Sequence, residues 1–88
     1  MRVLTQNISS LRSQAKREKI AAYYTKEISK NIDFTFFLKT HLDPSDEDDF
    51  TRLAGLKGHP NHIHFSPPDG TKGGIVLLIS VLTFLTSK

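Results

Sequence analysis

Apolar residues along the chain follow two periods, one extended and one helical. Val3 to Ile8 is a short segment with β-forming character, ending in the polar run Asn7-Ile8-Ser9-Ser10, whose side chains supply turn and N-cap chemistry. From about Ser13 to Ile28 the helix formers Ala15, Lys16, Arg17, Glu18, Lys19, Ala21 and Ala22 dominate, and Ile20, Tyr23 or Tyr24, and Ile28 recur near helical spacing. The pattern predicts a helix with one buried face, stopped near Asn31. Asp33 to Leu38 is aromatic and of strand length, so strand, helix and strand make a βαβ-like unit.

Beyond Leu42, the tract from Asp43 to Gly58 predicts a short second helix. Ser45 is the expected N-cap with Asp48 three residues on, the carboxylates sit at the positive end, and Gly55 or Gly58 is the stop. His62 to Phe65 alternates as a third strand, and the Pro- and Gly-rich turn from Ser66 to Gly74 leads into a fourth, Ile75 to Leu82. Its continuous aliphatic run predicts burial on both faces. The expectation is one α/β domain: a small mixed or antiparallel-rich sheet with the longer helix on one face.

Composition narrows the class. With no cysteine among 88 residues, disulfides and thiolate metal sites are excluded. Neither a secretory h-region nor an apolar run of the ~18–20 residues needed to span a membrane is present, so an intracellular protein without a membrane partner is expected. The formal charge of +3 hides an asymmetry: residues 1 to 30 carry seven Lys/Arg against two Glu, and residues 31 to 88 carry five against seven acids. Arg12, Lys16, Arg17 and Lys19 are therefore candidates for contact with a nucleic-acid backbone or an acidic partner, the alternative being a solvated helix face.

Other constellations fall short of chemistry. His59, His62 and His64 lie close in sequence, but no Cys or Glu completes a tetrahedral set and solvent-facing rings are expected. The acids from Asp43 to Asp49 lack the alternating ligands, central Gly and terminal Glu of a calcium loop. Gly70-Thr71-Lys72-Gly73-Gly74 lacks the order of a phosphate-binding loop and precedes a strand, so it is expected to be a plain connection.

Taken in order, however, three motifs resemble one family. Asn7 followed by Leu11 and Arg12 is similar to the first-strand signature of the endonuclease/exonuclease/phosphatase superfamily, in particular its retrotransposon-type apurinic endonucleases. Thr40-His41 is similar to the end of that family's Gln-Glu-Thr-His strand, and Phe65-Ser66 followed by Gly73 to Ile79 is similar to the strand pair beyond it. The resemblance spans almost the whole chain.

It implies the N-terminal portion of a two-sheet α/β sandwich, one small sheet with a basic helix and a short second helix. Residues 1 to 88 would form a truncated domain of a hydrolase-like, retrotransposon-derived phosphodiesterase or DNA endonuclease. The implied cofactor is Mg2+, and Asn7 would help place metal or phosphate. The alignment puts Lys39 where the family has its metal-ligating Glu. Exchanging an anion for a cation there changes the Coulomb energy by roughly 4 kcal/mol per unit-charge pair at 4 Å and an effective dielectric near 20. An inactive chain that does not bind Mg2+ is therefore expected, the family's later catalytic groups lying in a second half. Without that half, an exposed sheet edge and apolar residues such as Val81 and Phe84 would favour self-association. The competing expectation is a small non-enzymatic basic module.

Overall fold

The structure is a computed structural model that describes residues 1–66 and 73–81. Four strands, β1 (Val3–Asn7), β2 (Phe34–Leu38), β3 (Ile63–Ser66) and β4 (Ile75–Ile79), form one mixed sheet in the order β1-β2-β4-β3. β1 runs parallel to β2, and β4 is antiparallel to both β2 and β3. The small mixed α/β domain expected from the sequence is therefore present. The described residues form one sheet with helices, as expected, and do not by themselves make the two-sheet sandwich of which the resemblance implies they are a part.

The crossover from β1 to β2 begins at Ser13, whose extended backbone and side-chain oxygen, accepting from Lys16 N at 3.1 Å, cap α1 (Gln14–Tyr23). The cap is thus Ser13 rather than the Asn7–Ser10 run. α1 continues without a break through a π-helical segment, Tyr24–Ile28, and a last turn, α2 (Ser29–Asn31), stopping at the expected asparagine. Its buried stripe is Arg17, Ala21, Tyr24 and Ile28, at steps of four, three and four.

The second helix enters differently from the sequence expectation. Ser45 lies inside a 3-10 turn, Pro44–Asp46, begun by Asp43, whose carbonyl accepts from Asp46 N at 2.9 Å, and α3 spans Glu47–Leu53 with no side-chain cap. Proline fixes the backbone of that turn, which displaces the cap. The exit is at Gly55, with φ +74°: Leu56 N donates to Thr51 O at 3.0 Å and Gly55 N to Arg52 O at 3.1 Å, the paired bonds of a Schellman end.

Register assigns the two faces of the sheet. Leu4, Thr35, Leu78 and Ile63 line up across the strands, as do Gln6, Phe37, Val76 and Phe65. Those rows face the helices, where Phe37, Val76, Leu78 and Ile63 join Ala21, Tyr24, Ile28, Phe50 and Leu56 in one core. The opposite face carries Val3, Phe34, Phe36, Leu38, Ile75, Leu77 and Ile79, none of them in that core, with Val3 and Ile75 exposed and the rest partly so. β4 is consequently buried on one face only, correcting the expectation from its aliphatic run: it is central in the sheet, but the described residues supply a layer on one side. Val81 packs partly buried against the core, while Phe84 and the 67–72 turn lie outside the described residues.

Backbone clamps at the start of β2 hold this register. Asp33 N donates to Arg2 O, Arg2 N donates back to the Asp33 carboxylate and Ser80 N donates to Asp33 O, each at 2.9 Å. Ser80 Oγ then donates to Ser29 O at 2.8 Å, joining the sheet to the end of the helix. One consequence is that Thr35, fully buried between Leu4 and Leu78, has a hydroxyl without a hydrogen-bond partner among the described residues. An unpaired buried hydroxyl carries its desolvation cost, so Thr35→Val, of the same shape, should raise unfolding stability by about 1 kcal/mol, read as a higher urea midpoint. A second consequence concerns Tyr24, whose phenol is pushed up to about 12 by burial. A group with a raised folded pKa contributes stability that is fully present below its unfolded value, near 10, and lost as pH rises through the folded value. Urea midpoints should therefore fall from about pH 10 toward about pH 12, and Tyr24→Phe should flatten that fall.

Candidate functional site

At the carboxyl ends of parallel β1 and β2, three connecting segments are stitched together. Ile8 N donates to Leu38 O at 3.2 Å and Leu11 N to Thr40 O at 2.5 Å, joining the exits of both strands. Thr40 N donates to Gly74 O at 3.3 Å and His41 N to Gly73 O at 2.6 Å, bringing in the approach to β4. Ile8, Leu11, Thr40 and Leu42 are buried beneath this corner and anchor it. A Cβ on Gly73 would lie 2.8 Å from Lys39 Cα and 3.0 Å from His41 Nε2, so only glycine lets the segments close.

The backbone of the corner is unusual. Ser9, Lys39 and His41 have φ of 67°, 55° and 49°, and they are all the non-glycine residues of positive φ among the described residues. Left-handed backbone costs an L-residue on the order of 1 kcal/mol and persists where neighbours over-determine it. Asn7 takes part directly: its Oδ1 accepts from Ser9 N at 3.0 Å, closing a turn that mimics a backbone one. Asn7, Ser9, Arg12 and Lys39 are exposed and His41 is half-buried, so the corner presents two cationic side chains beside polar ones. Sequence reasoning selected Asn7 and Arg12 and marked Lys39 only as the residue at the implied metal-ligand position; it missed Ser9, for which the sequence carries no left-handed signal, and the close approach at Gly73, for which the Gly73-Gly74 pair was one.

The chemistry of this donor set does not fit Mg2+. A hard divalent ion is held by carboxylate and other oxygens, whereas the corner offers a lysine and an asparagine oxygen already accepting from Ser9. Among the described residues no three His, Cys, Asp or Glu side chains gather to hold a metal. Two histidines are tied to backbone instead, His62 Nδ1 lying 3.0 Å from Ile79 O and His64 Nε2 3.0 Å from Asn61 O.

The four basic candidates divide. Arg12 and Lys19 are exposed and Lys16 partly so, but Arg17 is 7% exposed and held through its Nε and Nη1. Its Nη1 donates to Leu11 O at 3.0 Å and Arg12 O at 2.8 Å, its Nε to Asp49 Oδ2 at 3.0 Å, and Asp46 lies 3.6 Å from Nη1. Arg17 is therefore withdrawn from any exposed basic surface. It occupies a position on the buried stripe with Ala21, Tyr24 and Ile28, a signal readable from spacing alone. The Asp49 carboxyl is held below its ordinary range by hydrogen bonds from Arg52 and Arg17.

Arg17→Met keeps much of the side-chain volume while taking the donor from the carbonyls of Leu11 and Arg12 and leaving Asp49 with Arg52 alone. It should lower stability by about 2–4 kcal/mol in urea unfolding at neutral pH. Because Asp49 has a depressed folded pKa, its contribution is present above its unfolded value and lost as pH falls through the folded one. The gap between wild type and Arg17→Met should accordingly narrow below about pH 4.

No family model, curated protein or solved structure matches this chain.

Proposed function

We propose that the chain is a non-hydrolytic phosphate-binding module that engages a nucleic-acid backbone at the corner formed by Asn7, Ser9, Arg12 and Lys39. The observation that carries this reading is the gathering of three strained, left-handed residues at one end of the sheet, with an exposed cation among them. Strain of this kind concentrates where a site must be held in one shape. In open α/β sheets, ligands bind beyond the carboxyl ends of parallel strands, which is where β1 and β2 end. Lysine meets phosphate as a point charge, and neutralising a phosphate releases its counterions.

The resemblance to the first part of an endonuclease/exonuclease/phosphatase domain supports the same location and a different outcome. In that reading Asn7 keeps its place beside phosphate, while Lys39 stands at the metal-ligand position and contacts the anion directly. No hydrolytic step is assigned to these residues. The partly exposed Lys16 and the exposed Lys19 of α1 extend the positive surface away from the corner.

Fluorescence anisotropy with a labelled oligonucleotide across a salt series tests this. Affinity should fall steeply as salt rises, and Lys39→Gln should weaken low-salt binding several-fold and reduce the salt slope by about 1. Lys16→Gln with Lys19→Gln should have the smaller effect. Binding that ignores Lys39, or plasmid nicking in Mg2+ above a chelated control, would overturn the proposal.

A further inference from the structure

A cavity of about 220 Å3 lies at the other end of the sheet from the phosphate corner, where Ser80 N meets Asp33 O ahead of β2. Its walls are the π-helical segment with Tyr24 and Ser29, the α3 exit at Ala54 and Leu56, and the chain leaving β4 at Ser80 and Val81. The π turn itself is closed by Ser29 N donating to Tyr24 O, five residues back. Such turns are rare in helices and recur at functional sites.

Tyr24 is the unusual group of this wall. It is 2% exposed and lines the cavity, yet its hydroxyl makes no hydrogen bond among the described residues. A buried phenol ordinarily finds a partner, and with the rest of Tyr24 enclosed a partner has to come through the cavity. Burial pushes the phenol up to about 12, so a neutral donor is held there at ordinary pH. The neighbouring hydroxyls are already committed: Thr25 Oγ1 donates to Ala22 O, Ser29 Oγ to Thr25 O and Ser80 Oγ to Ser29 O.

We propose that this cavity binds a small neutral ring compound carrying one carbonyl oxygen, which accepts from the Tyr24 hydroxyl while the ring lies against Ala54, Leu56 and Val81. Charge selects a neutral ligand. Among the described residues no Asp, Glu, Lys, Arg or His lines the cavity, so an ion entering it would lose hydration without meeting a counter-charge. Volume selects a single ring: benzene occupies an apolar cavity of about 150 Å3, and about 220 Å3 adds room for one short substituent. A Cβ on Gly55, also in the lining, would meet nothing within 4 Å, so the α3 exit leaves an approach open. The site shares no residue with the corner, and it takes a neutral ligand where the corner takes an anion.

Titration of the full chain with acetophenone, followed by amide chemical shifts, provides the test. The amides of Ser29, Leu56 and Val81 should move saturably with a Kd of about 1 mM, as suits so small a ligand. Ethylbenzene, of similar shape without the oxygen, should bind about fivefold more weakly, and benzoate should leave these amides in place. Tyr24→Phe should bring acetophenone down to the affinity of ethylbenzene and leave ethylbenzene unchanged. Ala54→Leu, which fills the space, should abolish binding of both; if circular dichroism shows it misfolded, Val81→Phe replaces it. Three results would overturn the proposal: no saturable shift up to about 10 mM acetophenone, as when the chain itself fills the space; equal binding by Tyr24→Phe; or binding by a folded, filled variant.

Discussion

Three segments of this chain meet on one buried guanidinium. Arg17 reaches from the first turn of α1 to the carbonyls of Leu11 and Arg12 behind it and to the carboxylates of Asp46 and Asp49 on the second helical segment. A cation this deep is tolerable because its Nε and Nη1 donors meet oxygens, and the fork shape of arginine suits that division where a lysine would not. Through it the acidic tract is folded back on the basic helix, so the charge separation so visible along the sequence is partly cancelled in space. The same contact fixes where the chain leaves β1, hence where Arg12 sits relative to Asn7 and Lys39.

The elements themselves were legible, because periodicity and stop signals agree: strands near 3–7, 34–38, 63–66 and 75–79, and a helix ending at Asn31, although β4 stops at Ile79 where the aliphatic run predicted a strand to Leu82. What was not legible depends on groups distant in sequence. The run Ile75 to Ile79 has no alternation to mark an inner and an outer face; only its pairing with β2 and the position of the helices divides it. At the corner, Asn7, Arg12 and Lys39 stood out as residue types, but the left-handed backbone of Ser9, Lys39 and His41 follows from the stitching of three segments and belongs to no local pattern. Arg17 was read by its charge when its place on the helix stripe was the better guide.

β2 shows how far register outranks hydrophobicity. Its inward residues are Thr35 and Phe37, while Phe34, Phe36 and Leu38 look outward, so the more apolar set lies on the side away from the core. A slip of one residue would exchange the sets. The clamp of Arg2, Asp33 and Ser80 prevents that exchange by fixing backbone groups at the strand's start, and an outward apolar column is its by-product. The Thr35 hydroxyl, without a partner among the described residues, and the outward apolar column are therefore two expressions of one pairing.

The strand order has a bearing on how the chain is made. β4, synthesised after β3, inserts between β2 and β3, so β3 has no neighbour to pair with until residues 75–79 have been produced. During translation, β1, α1 and β2 can assemble early as a parallel pair under a helix, while Ile63 and Phe65 wait. Completion then resembles closing a gap from both sides at once, with β4 supplying the hydrogen bonds that β2 and β3 both lack. Pairings so remote in sequence are slow to form, and the interval before β4 arrives is when this chain is most open to capture by chaperones or to aggregation.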